Sequence, residues 1–216
     1  GVLSLSSPAP RAKQFTGLEY RNYSLFYVNE SGNVSRFYYY NNSWIHEVLN
    51  TSSLFNVMVG TQLATDEFGK VYFTNEKGVV CTSYQIGGEW HCDWLKENAI
   101  KAKAWTGLFY FDKQLFFVGI DNKLYAYYYN DCNWEITNSL NDTCFSASYS
   151  SIAISNNASH YNNLYYMNSN DNKLHVLKSL IPNNYTYVYL KGKKFIRNSS
   201  EMNLRIMNYS VDVNTN

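Results

Sequence analysis

The densest run of reactive side chains in this sequence is Glu89-Trp90-His91-Cys92-Asp93. On a strand successive side chains point to opposite faces, so Glu89, His91 and Asp93 would share one face. That geometry could serve acid–base or metal chemistry. The remaining histidines, His46, His160 and His175, fall at unrelated positions and bring no second ligand to it. No G-x-S-x-G, H-E-x-x-H or Gly-rich phosphate loop is present. The run is therefore read as structural, with no catalytic residue, metal or cofactor expected. The turns at Asp121-Asn122-Lys123 and Asp171-Asn172-Lys173 lack the dense oxygen ligands of a calcium loop. They read as hairpin turns, where Asn and Asp tolerate positive φ.

Asparagine chemistry is the stronger signal. Asn-x-Ser/Thr acceptors for N-glycans begin at Asn22, Asn29, Asn33, Asn41, Asn50, Asn141, Asn157, Asn184, Asn198 and Asn208. These are ten, where the composition gives roughly four by chance. Glycans need surface positions, so each Asn should mark a turn or an outward strand face. The four cysteines fit the same oxidising compartment. Cys81 and Cys92 flank Gly87-Gly88, and Cys132 lies near Cys144. Local bridges Cys81–Cys92 and Cys132–Cys144 are expected, because a hairpin turning at the glycines brings its flanks together. A zinc site would want C-x-x-C spacing, which is missing. The predicted location is secreted or at the extracellular surface.

Composition excludes other classes. The formal charge is +1, so no strong field draws nucleic acid or an anionic membrane. No run of apolar residues is long enough to form a membrane-spanning helix. Lys191, Lys193, Lys194 and Arg197 form a short basic cluster, read as a solvated strand flank. Aromatic residues make up 18% of the chain, and they favour a pleated, half-buried surface.

Three segments that could position these groups align without a gap: 23–44, 69–90 and 113–134. Each has an apolar strand, a polar turn, a second strand, a second turn and a closing Trp, namely Trp44, Trp90 or Trp134. A fourth copy begins at Asn163 and lacks the Trp, with Tyr185 or Tyr187 as substitutes. Upstream strands are predicted near 15–20, 55–64, 102–111 and 146–155, and further short strands after each Trp. Four strands in about 45 residues match a propeller blade. The expected fold is all-β: a small β-propeller of four-stranded blades, four or five in number. Five is preferred, with Val2–Ser6 joining strands from 194–213 to close the ring. Residues 1–12 read as a linker or terminal strand, 13–213 as a single propeller domain, and 214–216 as a tail.

The unit resembles the blade of the fungal fucose-specific lectin family, and more loosely tectonin-type propellers, over roughly residues 13–190. The shared features are the aromatic strand, the Gly- or Asn-containing turn, the Tyr-rich strand and the closing Trp. That family's resemblance implies a sugar clamp of an early Arg, a Glu in the next strand and an aromatic near the Trp. Here the Arg-equivalent positions hold Ser24, Lys70 and Gln114, and the Glu-equivalent positions hold Arg36, Thr82 and Ala126. The charged clamp is not retained, so fucose binding does not carry over. Candidate ligand contacts are Trp44, Trp90, Trp134, Arg36, Lys70 and Gln114. The indoles would either pack between blades or stack on a ligand ring.

The leading functional reading is a secreted, N-glycosylated, non-catalytic propeller that binds a protein or a carbohydrate. The stretch 51–140 lacks sequons and is the expected contact sector. The alternatives are a glycosylated surface antigen or structural glycoprotein, and a secreted glycoside hydrolase with separated carboxylates.

Overall fold

The computed structural model describes residues 11–111, 113–130, 133–136, 153–157, 161–168, 173–180, 185–190, 193–198 and 201–208. These form antiparallel sheets that follow chain order. The first contains β1 (Glu19–Arg21), β2 (Ser24–Val28), β3 (Val34–Tyr40) and β4 (Ser43–Val48). The second contains β5 (Ala64–Thr65), β6 (Val71–Thr74), β7 (Val80–Ile86) and β8 (Glu89–Trp94). The third contains β9 (Phe109–Phe111), β10 (Gln114–Val118), β11 (Leu124–Asn130) and β12 (Asn133–Ile136). The gapless repeat is thus three four-stranded meanders.

The fourth sheet is β13 (Ala153–Asn157), β14 (Tyr161–Met167) and β15 (Leu174–Leu180). The fifth is β16 (Tyr185–Leu190), β17 (Lys193–Asn198) and β18 (Glu201–Asn208). Tyr185 and Tyr187 lie on β16, opposite Asn198 and Ile196 of β17. The expected pairing of residues 2–6 with the last strands falls outside the described residues.

Turn chemistry sets the register. Asn41 and Asn42, like Gly87 and Gly88, have positive φ. These two-residue turns match the right-handed twist of the flanking strands. The loop between the second and third strands closes the same way in each unit, with Gly32, Gly78 and Asn122 in the left-handed region. Backbone bonds Asn29 N–H to Asn33 O, Asn75 N–H to Val79 O and Gly119 N–H to Lys123 O seal these loops.

The innermost strands are shorter than the sequence suggests. The stretch before each is an irregular ribbon held by single bridges, Ala12 to Asn29, Val57 to Asn75 and Ala102 to Gly119. In each ribbon a threonine hydroxyl caps a turn: Thr16 to Lys13 O at 2.8 Å, Thr61 to Met58 O at 2.7 Å, and Thr106 to Lys103 O at 2.7 Å. Phe15, Gly60 and Trp105 occupy the equivalent position and all have positive φ. They meet: the Phe15 and Trp105 rings lie 5.7 Å apart, and Trp105 covers Gly60.

The core lies between sheets, not within one. All four residues of β6 are buried. Val71 and Phe73 pack with Phe26, Val28 and Val34 of the first sheet. Tyr72 packs the other way, with Leu115, Phe117 and Tyr127 of the third. Burial on both faces explains why these strands are apolar throughout and do not alternate with polar residues.

Candidate functional site

Where the first and second sheets meet, a pocket of about 280 Å³ opens between them. The first sheet's side supplies Arg21, Asn22, Ser24, Phe26 and Arg36. The second sheet's side supplies Phe68, Gly69, Lys70, Tyr84, Gln85 and Trp90. Three predicted residues, Arg36, Lys70 and Trp90, thus come together, and the sequon-free sector forms one wall.

Arg36 lies on β3 opposite Phe26, and Glu47 on β4 lies opposite Arg36. The guanidinium bonds Glu47 Oε2 through Nε and Nη2, both at 2.9 Å. Its carbon stands 4.3 Å from the Tyr38 ring centre and 4.8 Å from that of Trp90. Trp90 is carried across the gap by β8, and its indole N–H donates to Glu47 Oε2 at 3.1 Å. The Tyr38 hydroxyl donates to Glu47 Oε1 at 2.9 Å. Burial pushes the Glu47 carboxyl up, but the Trp90 and Tyr38 donors and the Arg36 charge outweigh it, so its pKa ends below the ordinary value. The result is a cation held over two aromatic rings by a carboxylate.

The rim comes from unequal hairpins. The turns joining β1 to β2 and β9 to β10 have two residues, as the Arg21–Ser24 and Phe111–Gln114 pairings require. The β5–β6 turn is longer. Asp66 N–H bonds Lys70 O, leaving Glu67, Phe68 and Gly69 as the loop, with Gly69 at φ +86°. Asp66 Oδ1 accepts the Phe68 and Lys70 amides at 3.0 and 2.8 Å, and Oδ2 accepts the Tyr72 hydroxyl at 3.1 Å. This brace presents Phe68, 78% exposed, beside the opening. Across the mouth the Asn22 amide donates to Glu67 O at 3.3 Å.

At the corresponding junction between the second and third sheets, aromatic rings pack together. Tyr72 replaces Phe26, and its ring stacks on Tyr110 at 5.5 Å and meets Trp134 edge-on at 5.7 Å. Thr82 replaces Arg36, and its buried hydroxyl has no hydrogen-bond partner among the described residues. Trp134 therefore packs between the second and third sheets. Trp44 rests edge-on against Tyr39 on the first sheet and Gln114 sits on β10, both away from the pocket.

Two expectations need correction. Cys81 and Cys92 are free thiols, not a disulfide. The turn does fall at Gly87-Gly88, but this register sets Cys81 opposite Trp94 and Cys92 opposite Ser83. The cysteines are diagonal neighbours, and diagonal positions lie roughly 7–8 Å apart, beyond the usual disulfide span. Cys132 and Cys144 lie outside the described residues. Secondly, not every sequon is on the surface. Asn22 and Asn41 are exposed and Asn33 is half-buried, whereas Asn29 and Asn50 are buried. The Asn29 amide donates to Ser35 Oγ at 3.1 Å, and that of Asn50 to Phe55 O at 3.1 Å. The side chains of the other five sequon asparagines lie outside the described residues.

On β8, Glu89, His91 and Asp93 do share the exposed face, opposite Trp90 and Cys92. Among the described residues no group of three acidic, His or Cys side chains converges as a metal site would. His91 stacks on Tyr84, whose hydroxyl bonds Asp93.

The sequence reading missed Glu47, Tyr84 and Phe68. Glu47 had a visible signal: an acid stands three places after the Trp in both of the first two units, as Glu47 and Asp93. An Arg–Glu pair therefore does stand at the junction, but its Arg occupies the position that the lectin resemblance marks for Glu, and its Glu one that the resemblance does not mark.

Comparison with solved structures agrees on architecture. The chain is similar to AofleA from Arthrobotrys oligospora, with a TM-score of 0.51 at 9% identity, covering 87% of this chain and 68% of that one. It is also similar to the SapL1 lectin in complex with alpha methyl fucoside, with a TM-score of 0.48 at 13% identity, covering 95% and 81%. A third is the Aleuria aurantia lectin, described as a six-bladed β-propeller, with a TM-score of 0.47 at 13% identity, covering 89% and 76%. The likeness to AofleA is one of fold alone. No family model matches the sequence, and no curated protein matches it.

Proposed function

We propose that the chain is a secreted, non-catalytic saccharide-binding propeller whose site is the pocket between the first and second sheets. The observation that carries this is the Arg36 guanidinium, held by Glu47 between Tyr38 and Trp90 at the wall of an open, aromatic-lined pocket. A sugar ring has an apolar face and a girdle of hydroxyls, and it needs aromatic surface beside fixed polar groups. Phe26, Phe68, Tyr84 and Trp90 supply the first; Arg36, Lys70, Gln85 and Ser24 supply the second. The volume suits one ring, being at the small end of ligand pockets. The lining has no carboxylate, and Glu47 already holds three donor groups. That favours binding over glycoside hydrolysis, which needs two carboxylates. The ten sequons support passage through a glycosylating compartment.

The test is titration of the protein with methyl glycosides of common hexoses, fucose and N-acetylhexosamines, followed by calorimetry and tryptophan fluorescence. At least one should bind saturably. Trp90→Ala should weaken it roughly tenfold or more, as loss of a buried aromatic anchor does. Trp44→Ala should leave it unchanged. Binding that survives Trp90→Ala, or no binding by any glycoside, overturns the assignment.

A further inference from the structure

The charges around the pocket are unbalanced in a way that bears on the kind of sugar it takes. Arg21, Arg36 and Lys70 line it, and no acidic side chain does. Arg36 is neutralised by Glu47. Arg21 is exposed at the rim, and its charge is felt by Glu19 behind it. Lys70 has no such counterpart. Its Nζ stands 5.7 Å from the centre of the Tyr84 ring. The nearby carboxylates are Asp66, Glu67 and Asp93. None forms an ion pair with Lys70 among the described residues; Asp66 is taken by the Phe68 and Lys70 backbone amides and the Tyr72 hydroxyl, and Asp93 by the Tyr84 hydroxyl. Lys70 is half-buried, its ammonium lies over an aromatic face at a pocket wall, and no acid pairs with it among the described residues, so it can receive an anion.

We propose that this pocket prefers a saccharide bearing an anionic group, a carboxylate or a sulfate ester, received by Lys70 with Arg21 at the rim. The inference rests on the saccharide reading of the site and narrows it. The neutral ring lies against Trp90 and Arg36, and its anionic substituent points toward Lys70. The preference is for charge, so it is sensitive to salt, whereas contact with the ring is not.

The probes are the methyl glycosides of galactose, glucuronic acid, N-acetylneuraminic acid and galactose 6-sulfate, titrated into the whole chain by calorimetry. The expected result is a preference of about fivefold for an anionic over the neutral glycoside, the size of one half-exposed ion pair. It should fade at molar salt. Lys70→Gln should bring the anionic glycosides to the affinity that the same variant has for the neutral one, and Lys70→Arg should restore the preference. Comparing the uronide and sialoside with the sulfate ester distinguishes the two anion types. Neutral and anionic glycosides binding equally, or a preference untouched by Lys70→Gln, overturns this inference and leaves the saccharide reading standing. Failure of all four to bind removes both.

Discussion

Glu47 receives three donors at once, from Arg36, Tyr38 and Trp90, and so ties the first sheet to the second at the pocket. Its pKa lies below the ordinary 4.5 in the folded protein. A depressed carboxylate pKa means the unfolded chain binds the proton more readily. The stabilisation from Glu47 is therefore complete above pH 4.5 and is lost as pH falls through the lower folded value. Urea denaturation of the wild type and Glu47→Gln checks this. The gap in midpoint should be constant above pH 4.5 and close as the solution becomes more acid. A gap that stays constant down to pH 2 would show that the charge on Glu47 is irrelevant.

At the scale of elements, the repeated ribbon before each inner strand sets where the sheets stand. Phe15 O accepts from Gly60 N–H at 3.0 Å, and Trp105 lies over Gly60. A Cβ there would come within 2.3 Å of the Trp105 ring, and φ is +80°. Gly60→Ala therefore combines backbone strain with overpacking and should cost about 3 kcal/mol. Gly69, at φ +86° with open space around it, meets only the strain. Gly69→Ala should cost about 1 kcal/mol while moving Phe68 at the pocket rim. Chemical denaturation of the two variants gives the contrast directly, and equal costs would count against the Trp105 contact. The ribbon was legible in the sequence: Ala12-Lys13-Gln14-Phe15-Thr16-Gly17-Leu18 and Ala102-Lys103-Ala104-Trp105-Thr106-Gly107-Leu108 share five of seven residues. Read as regular strand, its turn went unseen, because a hydroxyl-capped turn has no two-residue periodicity.

For the whole molecule, stacking sheets face to face decides which sequons see solvent. Asn22 and Asn41 sit in exposed two-residue turns, while Asn29 and Asn50 bond inward beside the junction of the first two sheets. Protein secreted from eukaryotic cells should carry glycans at Asn22 and Asn41 and none at Asn29 or Asn50. Site-resolved mass spectrometry after enzymatic deglycosylation in heavy-oxygen water reads this. Full occupancy at Asn29 or Asn50 would contradict their burial. Lack of sugar at every site would contradict secretion.

The strand pattern, the four-stranded period and the two-residue turns were all determined by local sequence, since strand alternation and positive-φ turns depend on near neighbours. Arg36, Lys70 and Trp90 were visible as candidates for the same reason: they occupy fixed places in a repeat. Which of the three Trp positions borders a pocket was decided only by tertiary structure. A pocket borders Phe26 and Arg36, whereas Tyr72 packs against Tyr110 and Trp134, and that difference appears only when one sheet's face is laid against the next. Cys81 and Cys92 belong with the local determinants: a two-residue turn at Gly87-Gly88 pairs Cys92 with Ser83 and Trp94 with Cys81, so the diagonal follows from the turn itself.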